Sequence, residues 1–312
     1  MHSLADWSGK RVLVTGATGF IGRHLVKRLT ETEAQVYAGT SPAGQSDRPP
    51  QSSPLAPRPL AFDVRDTEAV KSAVREAVPD VVFHLASAGV TNPALCPPGA
   101  LMVNVGGAVN LLEALRGSRV QRVVLVGTSY EYGARQAAEG LDPMNAYAAS
   151  KVAAWAFGRM YWRAFELPTV TVRPFQVYGP GQPKQTLVPA AMSAALSGRD
   201  FPITPGEQQR DFIYVEDVAE GMIAAAEAPD VEGESLDLGT GIGNAIRRVV
   251  ERIWRLAGGV GKVEFGALPY RSGDAIHLIA DADRTAQLTG WRAATPLAEG
   301  LRATLQSQRL ET

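Results

Sequence analysis

Short runs of consecutive apolar residues alternate with longer stretches of helical period from one end of the chain to beyond its middle. The runs at residues 11–15, 35–39, 60–64, 80–86, 122–127 and 169–174 predict strands, and the periodic stretches at 19–30, 67–77, 101–116 and 145–166 predict helices between them. Strict alternation of this kind predicts a parallel sheet with crossover helices. Val81-Val82-Phe83 and Val123-Val124-Leu125-Val126 are apolar at successive positions, as expected of strands covered on both faces. Between residues 41 and 60 six prolines and no period predict a loop. After residue 174 the rhythm loosens around Pro180, Gly181 and Pro183, then resumes as a helix at 187–197 and short strands near 211–214 and 236–238. No low-complexity linker intervenes. The expected organisation is an α/β chain, with a doubly wound parallel sheet over 1–174 and a smaller lobe over 175–312 partly interleaved with it.

Composition narrows the classes. With 312 residues, 45% of them hydrophobic, the chain is long enough for a sizeable core. Lys plus Arg number 31 against 32 Asp plus Glu, a net charge of −1, which argues against a nucleic-acid footprint. No run approaches the roughly 18 to 20 apolar residues of a membrane span, and Asp6 and Ser8 interrupt any secretory apolar segment, so a cytoplasmic protein off the membrane is expected. The single Cys96 cannot form an internal disulfide, and no Cys/His cluster suggests a metal site.

Chemistry first enters at Thr15-Gly16-Ala17-Thr18-Gly19-Phe20-Ile21-Gly22, directly after the first strand and opening the first helix. Gly16 suits a tight turn, Gly19 lets backbone approach a pyrophosphate, and Gly22 lets helix lie close on strand, while the helix start offers N–H groups to an anion. This is a dinucleotide turn of Rossmann type. Sites for NAD carry an acid after the second strand to hold the ribose 2′-hydroxyl, but here the strand ends Tyr37-Ala38-Gly39-Thr40-Ser41. Thr40, Ser41 and an arginine such as Arg48 suit a 2′-phosphate instead, so NADPH is expected over NAD(H).

Tyr147 and Lys151 stand four apart on a predicted helix, which puts both side chains on one face. A phenol, ordinarily near pKa 10, becomes a useful acid or base at neutral pH when a neighbouring ammonium favours phenolate.

With these two features in place the chain resembles, over nearly its whole length, the nucleotide-sugar branch of the extended short-chain dehydrogenase/reductase family. Further motifs carry the likeness: Phe62-Asp63-Val64-Arg65-Asp66, Phe83-His84-Leu85-Ala86, Asn104 with Asn110-Leu111-Leu112-Glu113-Ala114, Thr128 to Gly133, Arg173-Pro174-Phe175-Gln176-Val177-Tyr178-Gly179-Pro180-Gly181, and Arg210-Asp211-Phe212. The resemblance implies a cofactor held by Gly16, Thr18, Gly19, Phe20, Ile21, Gly22, Thr40, Ser41, Asp63, Val64, Leu85, Ala86, Asn104, Lys151 and Pro174. Asp63 would bind the adenine edge and Lys151 the nicotinamide ribose. It implies Thr128, Tyr147 and Lys151 as the catalytic set, and Ser129, Gln176, Val188, Arg210 and Arg271 as contacts to a nucleotide-diphosphate sugar, the two arginines on its phosphates. Gln176 departs from the family's usual Asn. The family often forms homodimers through two long helices, and the apolar positions in 105–115 and 152–165 would permit one.

Members that eliminate water follow the catalytic Thr with Asp-Glu. Here Ser129 and Tyr130 stand there, which disfavours a dehydratase. What remains is hydride chemistry at one carbon. Glu131-Tyr132-Gly133 resembles some 4-ketoreductases, so the leading expectation is NADPH-dependent reduction of a dTDP-linked 4-keto-6-deoxyhexose. The alternatives are a nucleotide-sugar 4-epimerase with tightly held NAD, and a non-enzymatic dinucleotide sensor in which Tyr147 would be dispensable.

Overall fold

A computed structural model describes residues 7–42, 56–90, 95–134, 140–270 and 275–310. The chain opens with β1 (Arg11–Thr15), α1 (Phe20–Glu31), β2 (Gln35–Thr40), β3 (Arg58–Ala61), α2 (Thr67–Ala77) and β4 (Val81–His84). A helix then runs from Pro97 to Leu115 as α3 (Pro97–Ala100), a π-helical segment (Leu101–Gly106) and α4 (Gly107–Leu115). It is followed by β5 (Arg122–Val126), α5 (Ala146–Phe165), β6 (Thr169–Pro174) and β7 (Gln176–Tyr178). Next come α6 (Leu187–Ser197), β8 (Phe201–Ile203), β9 (Gln209–Tyr214), α7 (Val215–Glu227), β10 (Ser235–Leu238) and β11 (Gly243–Ala245). The chain closes with α8 (Ile246–Ala257), β12 (Val263–Phe265), β13 (His277–Leu278), α9 (Ala282–Thr289) and α10 (Leu297–Leu310).

Seven strands form one sheet in the order β10-β6-β5-β4-β1-β2-β3, every pairing parallel. Its seventh strand, β10, comes from beyond residue 230, so the C-terminal third threads back into the first sheet. Successive side chains go to opposite faces. Val12, Val14, Val81 and Phe83 pack with Leu25 and Leu29 of α1 and Val218 and Met222 of α7. Leu13, Val82, Val123 and Leu125 pack on the other side with Val70 of α2, Leu112 of α4 and Tyr161 of α5. In the second lobe β9 pairs with β7, β11 and β13, and its core gathers Tyr178, Met192, Phe212, Ile253 and Leu301.

Three elements depart from expectation. The third strand is Arg58–Ala61 rather than 60–64, with Pro59 inside it. It is the edge of the sheet, where a proline's missing N–H costs no ladder bond, and so the proline-rich stretch ends in a strand. β4 stops at His84, because the Ala86 N–H turns to the Thr15 hydroxyl (3.2 Å). The helix expected from residue 101 starts four residues earlier, Pro97 and Pro98 occupying its first turn. At 19 residues it is long and apolar enough to cross a membrane by length and composition, contrary to the reading that no run approaches a span. Here Val105, Ala108, Leu111, Leu112 and Leu115 are buried in the protein.

Candidate active site

The strand order reverses between β1 and β4, which opens a crevice at their carboxyl ends. Gly16 takes φ +69° there, and a Cβ on it would lie 2.7 Å from the Ala86 nitrogen. A Cβ on Gly22 would come within 2.2 Å of the Gly16 carbonyl oxygen, so α1 lies directly on the turn. Gly19 is the N-cap of α1 and brings no side chain to its first-turn N–H groups. Thr15 Oγ1 joins the two strand ends, accepting from Ala86 N and bonding His84 Nδ1 at 2.8 Å. Burial pushes the His84 imidazole down to about 3, so it is neutral. His84 Nε2 and Ser87 Oγ are buried polar atoms without a hydrogen-bond partner among the described residues. Buried polar atoms rarely stay unpaired, so an open glycine turn beside two such atoms fits a polar ligand such as a nicotinamide dinucleotide.

Across the crevice stands α5, whose N-cap Asn145 accepts from Ala148 N at 2.8 Å. Its first two turns carry Tyr147 and Lys151, and Asn104 locks them in place. The Asn104 amide accepts from Ala88 N (2.7 Å), donates to Ala88 O (3.0 Å) and donates to Ser150 Oγ (2.8 Å), and Ser150 donates to the Tyr147 carbonyl (2.7 Å). Asn104 lies in the π-helical segment, a deformation common at functional sites. Thr128 caps the one-turn 3-10 helix Ser129–Tyr132 and shares a hydrogen bond with the Tyr147 hydroxyl, which Ser87 also faces.

Burial pushes the Tyr147 phenol above its ordinary value, while Thr128 and Ser87 act in the opposite direction. Lys151 is buried, donates to the Val126 carbonyl at 2.8 Å, and is pushed down to about 8 by desolvation, with Glu131 opposing the fall. Its ammonium lies 5.8 Å from the centre of the Tyr147 ring. Thr128 thus favours the phenolate by hydrogen bonding, with the Lys151 ammonium behind the ring.

The fold brings Gly16, Thr18, Gly19, Phe20, Ile21, Gly22, Leu85 and Ala86 to the crevice mouth, with Asn104, Thr128, Tyr147 and Lys151 facing them. Thr40 ends β2 with Ser41 just beyond it, Pro174 ends β6, and Val64 follows Asp63 in the turn after β3. The Asp63 carboxylate is clasped by Arg65, whose Nε is 3.0 Å from each of its oxygens, and is held below its usual range. Val188 is buried in the second lobe's core. Arg210 is buried with Nη1 donating to the carbonyls of Gln209 (2.9 Å) and Ala275 (2.8 Å). Gln176 is half-buried on β7, and Ser129 is buried beside Thr128. Arg48 and Arg271 lie outside the described residues. No group of His, Cys, Asp or Glu able to hold a metal occurs among the described residues.

Sequence reasoning overlooked Glu131 and Arg173 as a pair, although Thr128-x-x-Glu131 is the signature of a capping box. Glu131 Oε1 accepts from Thr128 N at 2.9 Å and its Oε2 accepts from Arg173 Nε at 2.7 Å.

Similarity to known proteins runs the length of this architecture. A UDP-glucose 4-epimerase of Mycolicibacterium smegmatis is 31% identical over 311 residues, covering 95% of this chain and 97% of that protein. The solved UDP-N-acetylglucosamine 4-epimerase of Methanobrevibacter ruminantium, in complex with UDP-N-acetylmuramic acid, superposes with a TM-score of 0.88 at 26% identity, over 98% of this chain and 100% of that one. The UDP-glucose 4-epimerase of Thermus thermophilus, solved with NAD, gives 0.82 at 29% identity, over 96% and 99%. Residues 12–239 match the NAD dependent epimerase/dehydratase family, and the chain belongs to that family.

Proposed function

We propose that this protein is a nucleotide-sugar 4-epimerase that keeps its NAD through the cycle. One observation carries the reading: a phenol, Tyr147, bonded to Thr128 and backed by buried Lys151, faces the dinucleotide crevice, with Ser129 and Tyr130 where elimination would need its own acid and base. Similarity over nearly full length to 4-epimerases, one of them solved with NAD, supports this choice above reduction of a 4-keto sugar.

NAD, when bound, would supply a hydride acceptor for C4 and return the hydride. Gly16, Gly19 and the start of α1 would hold its pyrophosphate, and Lys151 its nicotinamide ribose. Tyr147 would take the C4 hydroxyl proton as the C–H bond breaks and return it to the same oxygen after the sugar has turned over. Thr128 would hold that oxygen in line with the phenol. Lys151, at about 8, is mostly protonated at neutral pH and would offset the negative charge that develops on Tyr147. Exposed Leu101, Met102, Phe157 and Met160 on the 97–115 helix and α5 support a homodimer.

The test incubates purified protein, without added cofactor, with UDP-glucose, UDP-N-acetylglucosamine and UDP-glucuronate and follows C4 inversion by NMR. The expected result is interconversion with no net nicotinamide consumption, and release of NAD on denaturation. A second reading, 4-ketoreduction with NADPH, is favoured by the missing carboxylate after β2. Stoichiometric NADPH oxidation by a nucleotide-linked 4-keto sugar, with no inversion of any of the three sugars, would replace the first reading by the second.

A further inference from the structure

Beneath Thr128 lies a row of buried polar side chains that the proposed chemistry does not use directly. Asp237 on β10 accepts from the Tyr132 hydroxyl at 2.7 Å, and its other oxygen accepts from Asp281 N at 3.1 Å. The Arg173 guanidinium lies over the rings of Tyr132 and Trp155, 5.4 and 5.5 Å from their centres. It donates from Nε to Glu131, in an ion pair whose side chains are 4% and 0% exposed. Glu131 completes the row with its bond to the Thr128 N–H. A buried ion pair contributes little net stability compared with apolar residues of the same volume, so this one invites a role other than stability.

We propose that Glu131 is a positioning residue for the reaction centre: one carboxylate oxygen pins the Thr128 main chain, Arg173 anchors the other, and the fixed negative charge sets the field at the Tyr147 phenol and the Lys151 ammonium. The inference rests on the reading of Thr128, Tyr147 and Lys151 as that centre. Thr128 can hold a substrate oxygen in line only if its backbone is fixed, and among the described residues Glu131 is the side chain on its N–H.

The charged and titratable groups around the centre come from five elements. They are Tyr147 and Lys151 on α5, Tyr130, Glu131 and Tyr132 in the 3-10 turn, His84 on β4, and Arg173 with Asp237 on β6 and β10. His84 is neutral, and Arg173 is bound to Glu131 itself. Glu131 opposes both the ionisation of the Tyr147 phenol and the deprotonation of the Lys151 ammonium. Removing its charge therefore moves both to lower pH, a signature that loss of packing alone would not give.

The test compares the full-length enzyme with Glu131→Asp and with the double variant Glu131→Gln/Arg173→Gln, which leaves no unpaired buried charge. Each is measured for kcat and KM against pH on a sugar the parent epimerises. The Lys151 side chain is titrated in parallel by NMR of 13C-lysine-labelled protein. In the double variant both limbs of the kcat profile and the Lys151 titration are expected to move down by about half to one pH unit. In Glu131→Asp, which keeps the charge on a shorter arm, kcat is expected to fall on the order of tenfold at unchanged KM with the profile in place, as for the loss of one aligned hydrogen bond. A folded double variant whose Lys151 titration and profile match the parent would overturn the proposal. If the Lys151 titration moves while no protein epimerises any sugar, this inference stands and the epimerase reading fails.

Discussion

Replacing Lys151 by Met should make the protein more stable while it destroys turnover. The ammonium is buried and its pKa falls from the ordinary 10.5 to about 8, so the charged form is disfavoured in the folded state. The sign follows from linkage: between about 8 and 10.5 the unfolded chain holds a proton that the native protein has released, and stability rises with pH across that window. Below the window both states are charged and the native state carries the whole penalty. A gap of about 2.5 pKa units at 1.36 kcal/mol each comes to about 3 kcal/mol at pH 7. Met removes the charge and fills similar volume. It also forfeits the hydrogen bond to the Val126 carbonyl, about 1 kcal/mol, which leaves a net gain of about 2 kcal/mol.

Urea denaturation of parent and variant at pH 7 and pH 10 measures this directly. The parent should gain on the order of 2 to 3 kcal/mol more than the variant between the two pH values. Carboxylates and tyrosines that titrate in both proteins cancel in that difference. A variant less stable than the parent at pH 7, or one showing the same rise towards pH 10, would refute the assignment of the penalty to Lys151.

Tyr147→Phe removes the one hydroxyl bonded to Thr128 at the crevice and should lower kcat by about 10²- to 10⁴-fold with nucleotide-sugar affinity retained by calorimetry, whereas undiminished turnover would exclude it as the proton carrier. Gly16→Ala places a methyl 2.7 Å from the Ala86 nitrogen at a φ of +69°, so the turn must open. NADH binding, followed by fluorescence, should weaken by at least roughly tenfold, and unchanged binding would remove the turn from the cofactor site. Phe157→Glu combined with Leu101→Glu puts carboxylates on two exposed apolar positions, 39% and 59% accessible, and should turn a dimer into a monomer in sedimentation velocity.

Much of this was legible from local pattern. Val12-Leu13-Val14 and Val81-Val82-Phe83 announce strands buried on both faces because nothing polar interrupts them, and the two cores take up alternate residues as the pleat demands. Gly16 and Gly22 declare themselves because only a residue without Cβ fits where they lie. Tyr147 and Lys151 are joined by helical spacing alone. Local pattern falls short where distant chain decides. Pro59 argues against a strand until the sheet order shows that β3 has an outer edge. Val188 has the same helical spacing whether it faces a base or a core, and in the structure it lies in the second lobe's core. Arg210 is drawn to the carbonyl of Ala275, 65 positions away. Glu131 and Arg173 stand 42 positions apart, and only the adjacency of β5 and β6 brings them together.

That adjacency also gives a reason for the return of the chain to the first sheet. β10 pairs with β6 so that Asp237 stands opposite Arg173. A strand edge left open there would put the carboxylate-accepted Tyr132 hydroxyl and the guanidinium in water, where the pair with Glu131 would be screened and the Thr128 backbone less constrained. With β10 in place, desolvation raises the Asp237 carboxyl above its usual range, while Tyr132, the Asp281 N–H and Arg173 counter it. The same dryness that makes Lys151 costly to bury makes each of these contacts directional and hard to displace. The second lobe, through β10 and the Asp281 main chain, thus reaches the Thr128 main chain through a short run of buried hydrogen bonds and an ion pair. A substitution at Asp237 should therefore lower kcat while leaving cofactor affinity intact, because its effect reaches Thr128 and not the glycine turn.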